Sequence, residues 1–269
     1  MAELFFKKFF EGAALEIEDL YLLEAFQLTY WPGWAPEREL AAVLWGHPAI
    51  KRFLLKKCPE ISDFIAGVQK KYGPASSSEE LADCEDILVW TIADLLVYNK
   101  CPEVYDGLVF HNWDFDEVTR ITPLDGKTVI EGGAGTGQVT CHLAERAESV
   151  FAVEPVSRLR EFIRDKTRKA GLKNIFVLDG FLHAIPLPDN YADVIITSHA
   201  LGWHLDDELP EFERLVKPGG TIIHCPGTAL SSGEDDPTHL ALVSPKWAYK
   251  VSEYSEPDGL KRKYWKQVG

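Results

Sequence analysis

Apolar residues between position 13 and about position 100 recur at three- and four-residue steps, and nothing in that stretch alternates as a strand would. Leu15, Ile17, Leu20, Tyr21, Leu22, Leu23, Ala25, Phe26 and Leu28 crowd more than one helical face, so the pattern predicts one well-buried helix. Trp31-Pro32-Gly33 ends it, because proline cannot continue the ladder and glycine accepts a left-handed cap. Pro36 then suits a first helical turn. Further helices are predicted over 37–45, 48–57 and 60–72, the last closed by Gly73-Pro74. Ser77 with Glu80 spells a capping box that opens a longer helix carrying Leu81, Cys84, Leu88, Thr91, Ile92 and Leu95.

From Lys127 the period changes. Short β-branched runs at 128–131, 150–154, 174–178, 192–198 and 221–225 alternate with helical stretches at 138–147, 157–170 and 206–216. That alternation predicts β-α-β units, and right-handed connections wind them into a parallel sheet with helices on both faces. A Ser-, Gly- and Asp-rich loop follows at 227–237. Two more strands, at 247–255 and 260–268, flank Glu256-Pro257-Asp258-Gly259. Proline presets one φ angle of such a turn and glycine accepts a positive one, so the sheet is expected to end in an antiparallel hairpin. The expected division is a helical region over 1–104 and an α/β domain over 105–269.

Composition narrows the function classes. The 269 residues are 46% hydrophobic and 26% charged, enough for a sizeable core. No stretch approaches the roughly 18 apolar residues that a membrane span needs. Phe5-Phe6-Lys7-Lys8-Phe9-Phe10-Glu11 mixes charge into its apolar run, unlike a secretory leader. It reads as a helix packed on its own protein, with a short amphipathic membrane contact as the alternative. Cys58, Cys84, Cys101, Cys141 and Cys225 are scattered and odd in number, with no Cys-x-x-Cys pair. A disulfide framework is not indicated and a cytoplasmic location follows. With 28 basic and 42 acidic side chains the net charge is −14, which repels a phosphate backbone and argues against nucleic acid. Lys261, Arg262, Lys263 and Lys266 are a local exception, expected to be a solvated strand face rather than an anion patch.

The chemistry concentrates at strand ends. Val129-Ile130-Glu131-Gly132-Gly133-Ala134-Gly135-Thr136-Gly137-Gln138 is a buried strand running into a glycine turn and then a helix. Backbone amides at such a helix start can hold an anionic group. Gly133, Gly135 and Gly137 give Gly-x-Gly-x-Gly, whereas the dinucleotide fingerprint needs glycine where Gln138 stands. Glu154 ends the second strand, where a carboxylate can accept both ribose hydroxyls of an adenosine. Asp179-Gly180-Phe181 ends the third, with an acceptor for an adenine amino group and an apolar wall. Leu215-Val216-Lys217-Pro218-Gly219-Gly220-Thr221 is a helix end, a tight turn and the next strand.

With these motifs the sequence resembles the class I S-adenosylmethionine-dependent methyltransferase family. Glu131-x-Gly133-x-Gly135-x-Gly137 resembles its first motif, Glu154-Pro155 its ribose-binding acid and Asp179 its adenine-binding acid. Residues 186–194 are similar to the stretch before its fourth strand, and 215–220 to its Pro-Gly-Gly turn. The resemblance covers about 105–269 and looks closest to the ubiquinone/menaquinone-type small-molecule subgroup. It implies a Rossmann-like, doubly wound seven-stranded sheet with an antiparallel last strand. It also implies S-adenosyl-L-methionine held by Glu131, Gly133, Ala134, Gly135, Gly137, Gln138, Glu154, Pro155, Asp179, Gly180, Phe181 and Ser198.

On the substrate side, Ser198-His199-Ala200-Leu201-Gly202-Trp203-His204 follows the fourth strand, where the family places residues facing the transferred methyl. His199 and His204 are candidate catalytic groups, each with the alternative of a hydrogen-bonded loop histidine. Trp203 is a candidate for substrate contact, and His183 belongs to the rim. Tyr105, His111, Asn112 and Trp113 precede the first strand and form either a lid, with Tyr105 and Trp113 on the substrate, or a packed linker. His224-Cys225 has no supporting ligand set, so no metal is expected. The N-terminal helices are expected to roof the crevice, with a far-side helical layer or a dimerisation surface as alternatives. The expected activity is methyl transfer to a small-molecule acceptor of unidentified kind. The competing readings are a nicotinamide-dependent oxidoreductase and a non-catalytic cofactor-binding regulator, and the oligomeric state stays open.

Overall fold

The computed structural model describes residues 2–227, 230 and 236–269. Of the loop expected at 227–237, residues 228, 229 and 231–235 lie outside the described residues. The chain divides into two compact units, Met1–Leu108 and Val109–Gly269.

The first unit is helical. Its core gathers Leu20, Leu23, Leu28, Trp31, Leu40, Leu44, Leu54 and Leu88, none of them more than 1% exposed. The single helix expected over 15–28 is instead a 3-10 turn, Ile17–Leu22, and a short helix, Ala25–Leu28. Two side-chain caps explain the break. Glu16 N donates to Asp19 Oδ2 at 2.7 Å and Glu24 N donates to Gln27 Oε1 at 2.9 Å, each restarting the chain as a new helical turn. Ser77 does cap its helix, accepting from Glu80 N at 3.1 Å. The Glu80 carboxylate, however, takes the Ser76 amide at 2.6 Å, so the reciprocal half of the box goes to a neighbour. The long helix expected after it is interrupted at Ile92, giving Ser78–Thr91 and Ala93–Lys100. Thr91 Oγ1 donates back to Ile87 O at 2.7 Å at that break. The Phe-rich start is a helix, Ala2–Phe9, and Phe10 behind it is buried with Ala93 and Val97.

The second unit holds a seven-stranded sheet: β1 Thr128–Gly132, β2 Ser149–Val153, β3 Ile175–Leu178, β4 Ala192–Ser198, β5 Val216–Cys225, β6 Lys250–Glu256 and β7 Gly259–Gln267. Their order is β3-β2-β1-β4-β5-β7-β6. The first five are parallel, and β7 runs antiparallel between β5 and β6. Helices Gln138–Ala144, Ser157–Lys169 and Leu205–Leu215 make the crossovers. Alternating strand residues feed two cores: Val129, Val150, Val194 and Ile223 on one side, Ile130, Ile195 and Ile222 on the other, where Phe212 of the helix Leu205–Leu215 joins them. β5 starts five residues earlier than its hydrophobic run suggested. Val216 pairs with Ala192, and a register shift between Ala192 and Val194 absorbs the Pro-Gly-Gly turn.

The basic stretch of β7 is not a solvated face. Lys261, Arg262 and Lys263 are all under 10% exposed, because β7 is an inner strand. Lys261 pairs with Asp258 at 2.7 Å, Lys263 with Glu117, and Lys266 with Glu213. None of the five cysteines is in a disulfide; Cys58, Cys84 and Cys225 are buried, and Cys101 and Cys141 are half-buried. No helix among the described residues is long and apolar enough to cross a membrane.

Candidate functional site

Strand order reverses between β1 and β4, and in doubly wound sheets the crevice outside the carboxyl ends at that point is where ligands bind. Glu131 is the penultimate residue of β1 and only 2% exposed. Thr140 Oγ1, from the following helix, donates to its carboxyl group. Burial pushes the Glu131 acid up to about 8, helped by the negative charge of Glu154 and opposed by Thr140 and Lys166.

The turn after β1 folds back on β2: the amides of Gly133 and Ala134 both donate to Val153 O, at 2.9 and 3.0 Å. Gly133, Gly135 and Gly137 all have positive φ. At Gly133 space matters as much as angle, since a Cβ there would lie 2.3 Å from Ala200 Cβ. The glycine turn and the segment after β4 therefore touch.

Glu154 follows β2 and is 5% exposed. Its two carboxylate oxygens accept from Gly135 N and Val156 N, both at 2.9 Å. A carboxylate offers about four acceptor sites, more than these two amides use. Thr136, between the glycines, is fully buried, and its hydroxyl has no partner among the described residues. A bound ligand in the turn would satisfy such a group.

Asp179 follows β3, with its side chain 71% exposed and paired to Arg160 at 3.0 Å. The same guanidinium donates to Glu154 O at 2.9 Å and Pro155 O at 2.7 Å, tying the ends of β2 and β3 together. Gly180 is enclosed, since a Cβ there would meet Pro186 and Val153. Phe181 stacks on His183, with ring centroids 5.4 Å apart.

Ser198 ends β4. His199 follows with φ +55°, its ring between Ser198 Oγ, 2.9 Å from Nδ1, and Glu256 Oε2, 3.0 Å from Nε2. His204 is exposed and meets His183 edge-on at 5.4 Å, and Trp203 is 64% exposed. The loop carrying them is held by Glu208, which accepts from Gly202 N at 3.0 Å and His204 N at 3.2 Å.

Trp113 is 6% exposed in the core below the sheet, against Phe115 and Tyr254. A cavity of about 330 Å³ opens beside it, lined in part by His111, Asn112, Gln138, His142 and Arg146. Tyr105 belongs to the first unit, edge-on to Tyr98.

The structure thus brings Glu131, Gly133, Ala134, Gly135, Gly137 and Glu154 into one group at the ends of β1 and β2, where Gly135 is bonded to Glu154, Gly133 and Ala134 to Val153, and Glu131 to Thr140, with Ser198 and His199 at the end of the neighbouring β4. Trp203 and His204 are not part of that group. Sequence reasoning missed Thr136, whose position inside the glycine motif was a signal, and Thr140, in the helix that follows it. It missed Arg160, which carried none, and Glu256, which was read only as part of a turn.

Residues 130–224 match the methyltransferase domain family. An uncharacterized methyltransferase of Mycobacterium bovis is 34% identical over 110 residues, which cover 40% of this chain and 42% of that protein. One of Anoxybacillus flavithermus is 25% identical over 64% of this chain and 82% of its own length. The match thus spans less than half the length of the Mycobacterium relative. The crystal structure of an S-adenosylmethionine-dependent methyltransferase from Aquifex aeolicus aligns with a TM-score of 0.52 at 22% identity. That alignment covers 64% of this chain and 98% of the other, and the shared property is the fold.

Proposed function

We propose, from the premise that this chain carries the methyltransferase domain of the class I S-adenosylmethionine-dependent family, that it transfers the methyl group of S-adenosylmethionine to a small-molecule acceptor. One observation carries this reading: the glycine turn of β1 and the Glu154 carboxylate of β2 are locked to each other through the Gly135 amide. The cofactor, when bound, supplies an electrophilic methyl group on a sulfonium.

The protein's own residues bind and orient. Glu154 accepts the ribose hydroxyls, and Pro155 shapes the turn beside it. Asp179, Gly180 and Phe181 form the adenine edge. Glu131, Ala134, Gln138 and the three glycines cradle the methionine end, where the Thr136 hydroxyl finds its partner. Ser198 and His199 face the transferred methyl. Trp113, Trp203 and His204 border the acceptor side. Holding two reactants in line is the main contribution such a site makes.

A net charge of −14 favours a cationic sulfonium and disfavours a nucleic acid as acceptor. Five cysteines outside any disulfide suit the cytoplasm. Isothermal titration checks the cofactor: S-adenosylhomocysteine is expected to bind saturably and NAD not at all. NAD binding without any response to S-adenosylhomocysteine refutes the reading.

A further inference from the structure

We infer that His199 accepts the proton lost in the transfer, and that Glu256 is the positioning residue that equips it to do so; this rests on the proposed function. The Glu256 side chain is only 1% exposed. Among the described residues two groups reach its carboxylate: the Tyr254 hydroxyl on Oε1 and His199 Nε2 on Oε2. Tyr254 is the donor, since burial raises its hydroxyl far above the ordinary range and keeps it protonated.

An ionised carboxylate only accepts, so Nε2 carries the ring hydrogen and Nδ1 keeps its lone pair. Nδ1 is the nitrogen beside Ser198 Oγ, at the carboxyl end of β4. A base held by a third group in this way is the arrangement that makes a side chain an effective proton acceptor.

The ring has little freedom to turn. A Cβ on Gly227 would lie 2.2 Å from His199 Cδ2, so the ring occupies space that only glycine leaves open. Phe110 lies 5.2 Å away, centroid to centroid. The next residue, Ala200, fills the gap over Gly133, so the segment that carries His199 packs on the glycine turn. His204 has none of this: its ring is exposed and has no carboxylate partner among the described residues.

A buried carboxylate behind an imidazole is wasted on an acceptor that is already a free nucleophile. Neutral amines attack through an existing lone pair, and thiols ionise near neutral pH unaided. The geometry therefore suits a weakly acidic O–H of phenol or enol type. The oxygen's electron pair forms the bond to the methyl carbon, and the pair of the breaking C–S bond stays on sulfur as a neutral thioether. The O–H proton goes to Nδ1, and the resulting imidazolium faces Glu256.

The test uses the full chain with S-adenosylhomocysteine bound and its histidines labelled with nitrogen-15, His199 being assigned through His199→Asn. A protonated Nε2 and a bare Nδ1 are expected. Glu256→Gln is expected to change the His199 signals and Glu256→Asp to keep the wild-type pattern. A protonated Nδ1, or signals unmoved by Glu256→Gln, overturns the positioning role.

The second arm supplies carbon-13 methyl-labelled S-adenosylmethionine and a deproteinised small-molecule extract of the source cells. Label is expected in an O-methyl group. His199→Asn and Glu256→Gln are each expected to cut it about 100-fold or more, with S-adenosylhomocysteine affinity within roughly twofold of wild type. Full labelling by His199→Asn, or label found in N- or S-methyl groups, overturns the inference. No label from the wild type overturns the proposed transfer itself.

Discussion

Glu131 and Glu154 are neighbouring carboxyl groups with opposite surroundings, and each makes its own prediction. Glu131 is enclosed, and its folded-state value near 8 stands above the ordinary 4.5. The folded chain therefore keeps a proton that the unfolded chain releases, so this group's contribution to stability is complete below 4.5 and is lost as pH rises through about 8. Glu131→Gln imitates the protonated acid and should flatten that decline. Thermal melts across this window should show the wild type losing stability faster than the variant, and parallel curves would contradict it. Glu154 instead receives two amides, so Glu154→Ala strands the amides of Gly135 and Val156. Unsatisfied buried groups cost about 1–3 kcal/mol, or roughly 5- to 150-fold in S-adenosylhomocysteine affinity by calorimetry. Asp179→Ala removes an exposed pair with Arg160, worth about 0–1 kcal/mol, so a loss of S-adenosylhomocysteine affinity beyond about fivefold measures the contact proposed for Asp179 at the adenine edge. The acids were legible in the sequence because strand tips announce them. Their environments were not, because burial depends on Thr140, Lys166 and Arg160 arriving from the helices behind.

Among elements, the β6–β7 hairpin separates what local pattern reveals from what it hides. Its turn was legible in Glu256-Pro257-Asp258-Gly259, since proline and glycine act within four residues. Its place in the sheet was not: β7 inserts between β5 and β6, and that burial turns a basic stretch into structural cations. Lys263 shows the consequence. It lies across from Glu117 of the short helix Asp116–Thr119 and also donates to the Glu117 carbonyl at 3.2 Å. Lys263→Ala removes one of two cations on the Glu117 carboxylate, Arg120 being the other, and urea unfolding should register a loss of roughly 1.5–3 kcal/mol. The double variant Lys263→Met, Glu117→Leu, which removes both charges, should recover most of that loss. If the double variant is no better than the single, the pair is not what holds the hairpin to that helix. The helical unit teaches the same lesson in reverse. The caps at Glu16 and Glu24 were visible as acidic residues, yet the apolar density around them suggested one continuous helix.

For the molecule as a whole, the change of hydrophobic period was the most legible feature, because it reports two different ways of burying a chain. Each unit has its own core: Leu20, Leu40 and Leu88 in one, Ile130, Ile195 and Phe212 in the other. The proposed cofactor residues all lie in Val109–Gly269. That unit expressed alone should bind S-adenosylhomocysteine within about threefold of the full chain, since roughly 0.7 kcal/mol corresponds to that ratio. A loss of binding from a folded fragment would show that the helical unit contributes directly. The cysteines, none of them in a disulfide, supply a clock for the same question. Three thiols stand in the first unit and two in the second, and burial raises Cys58 and Cys225, the latter to about 12. Since only the thiolate reacts, an enclosed thiol is alkylated mainly during the moments when its surroundings open. Pulses of iodoacetamide followed by peptide mass spectrometry would time those moments. A chain that opens as one body would label Cys58 and Cys225 at matching rates. A chain that opens by halves would keep two rhythms, one for each set of thiols.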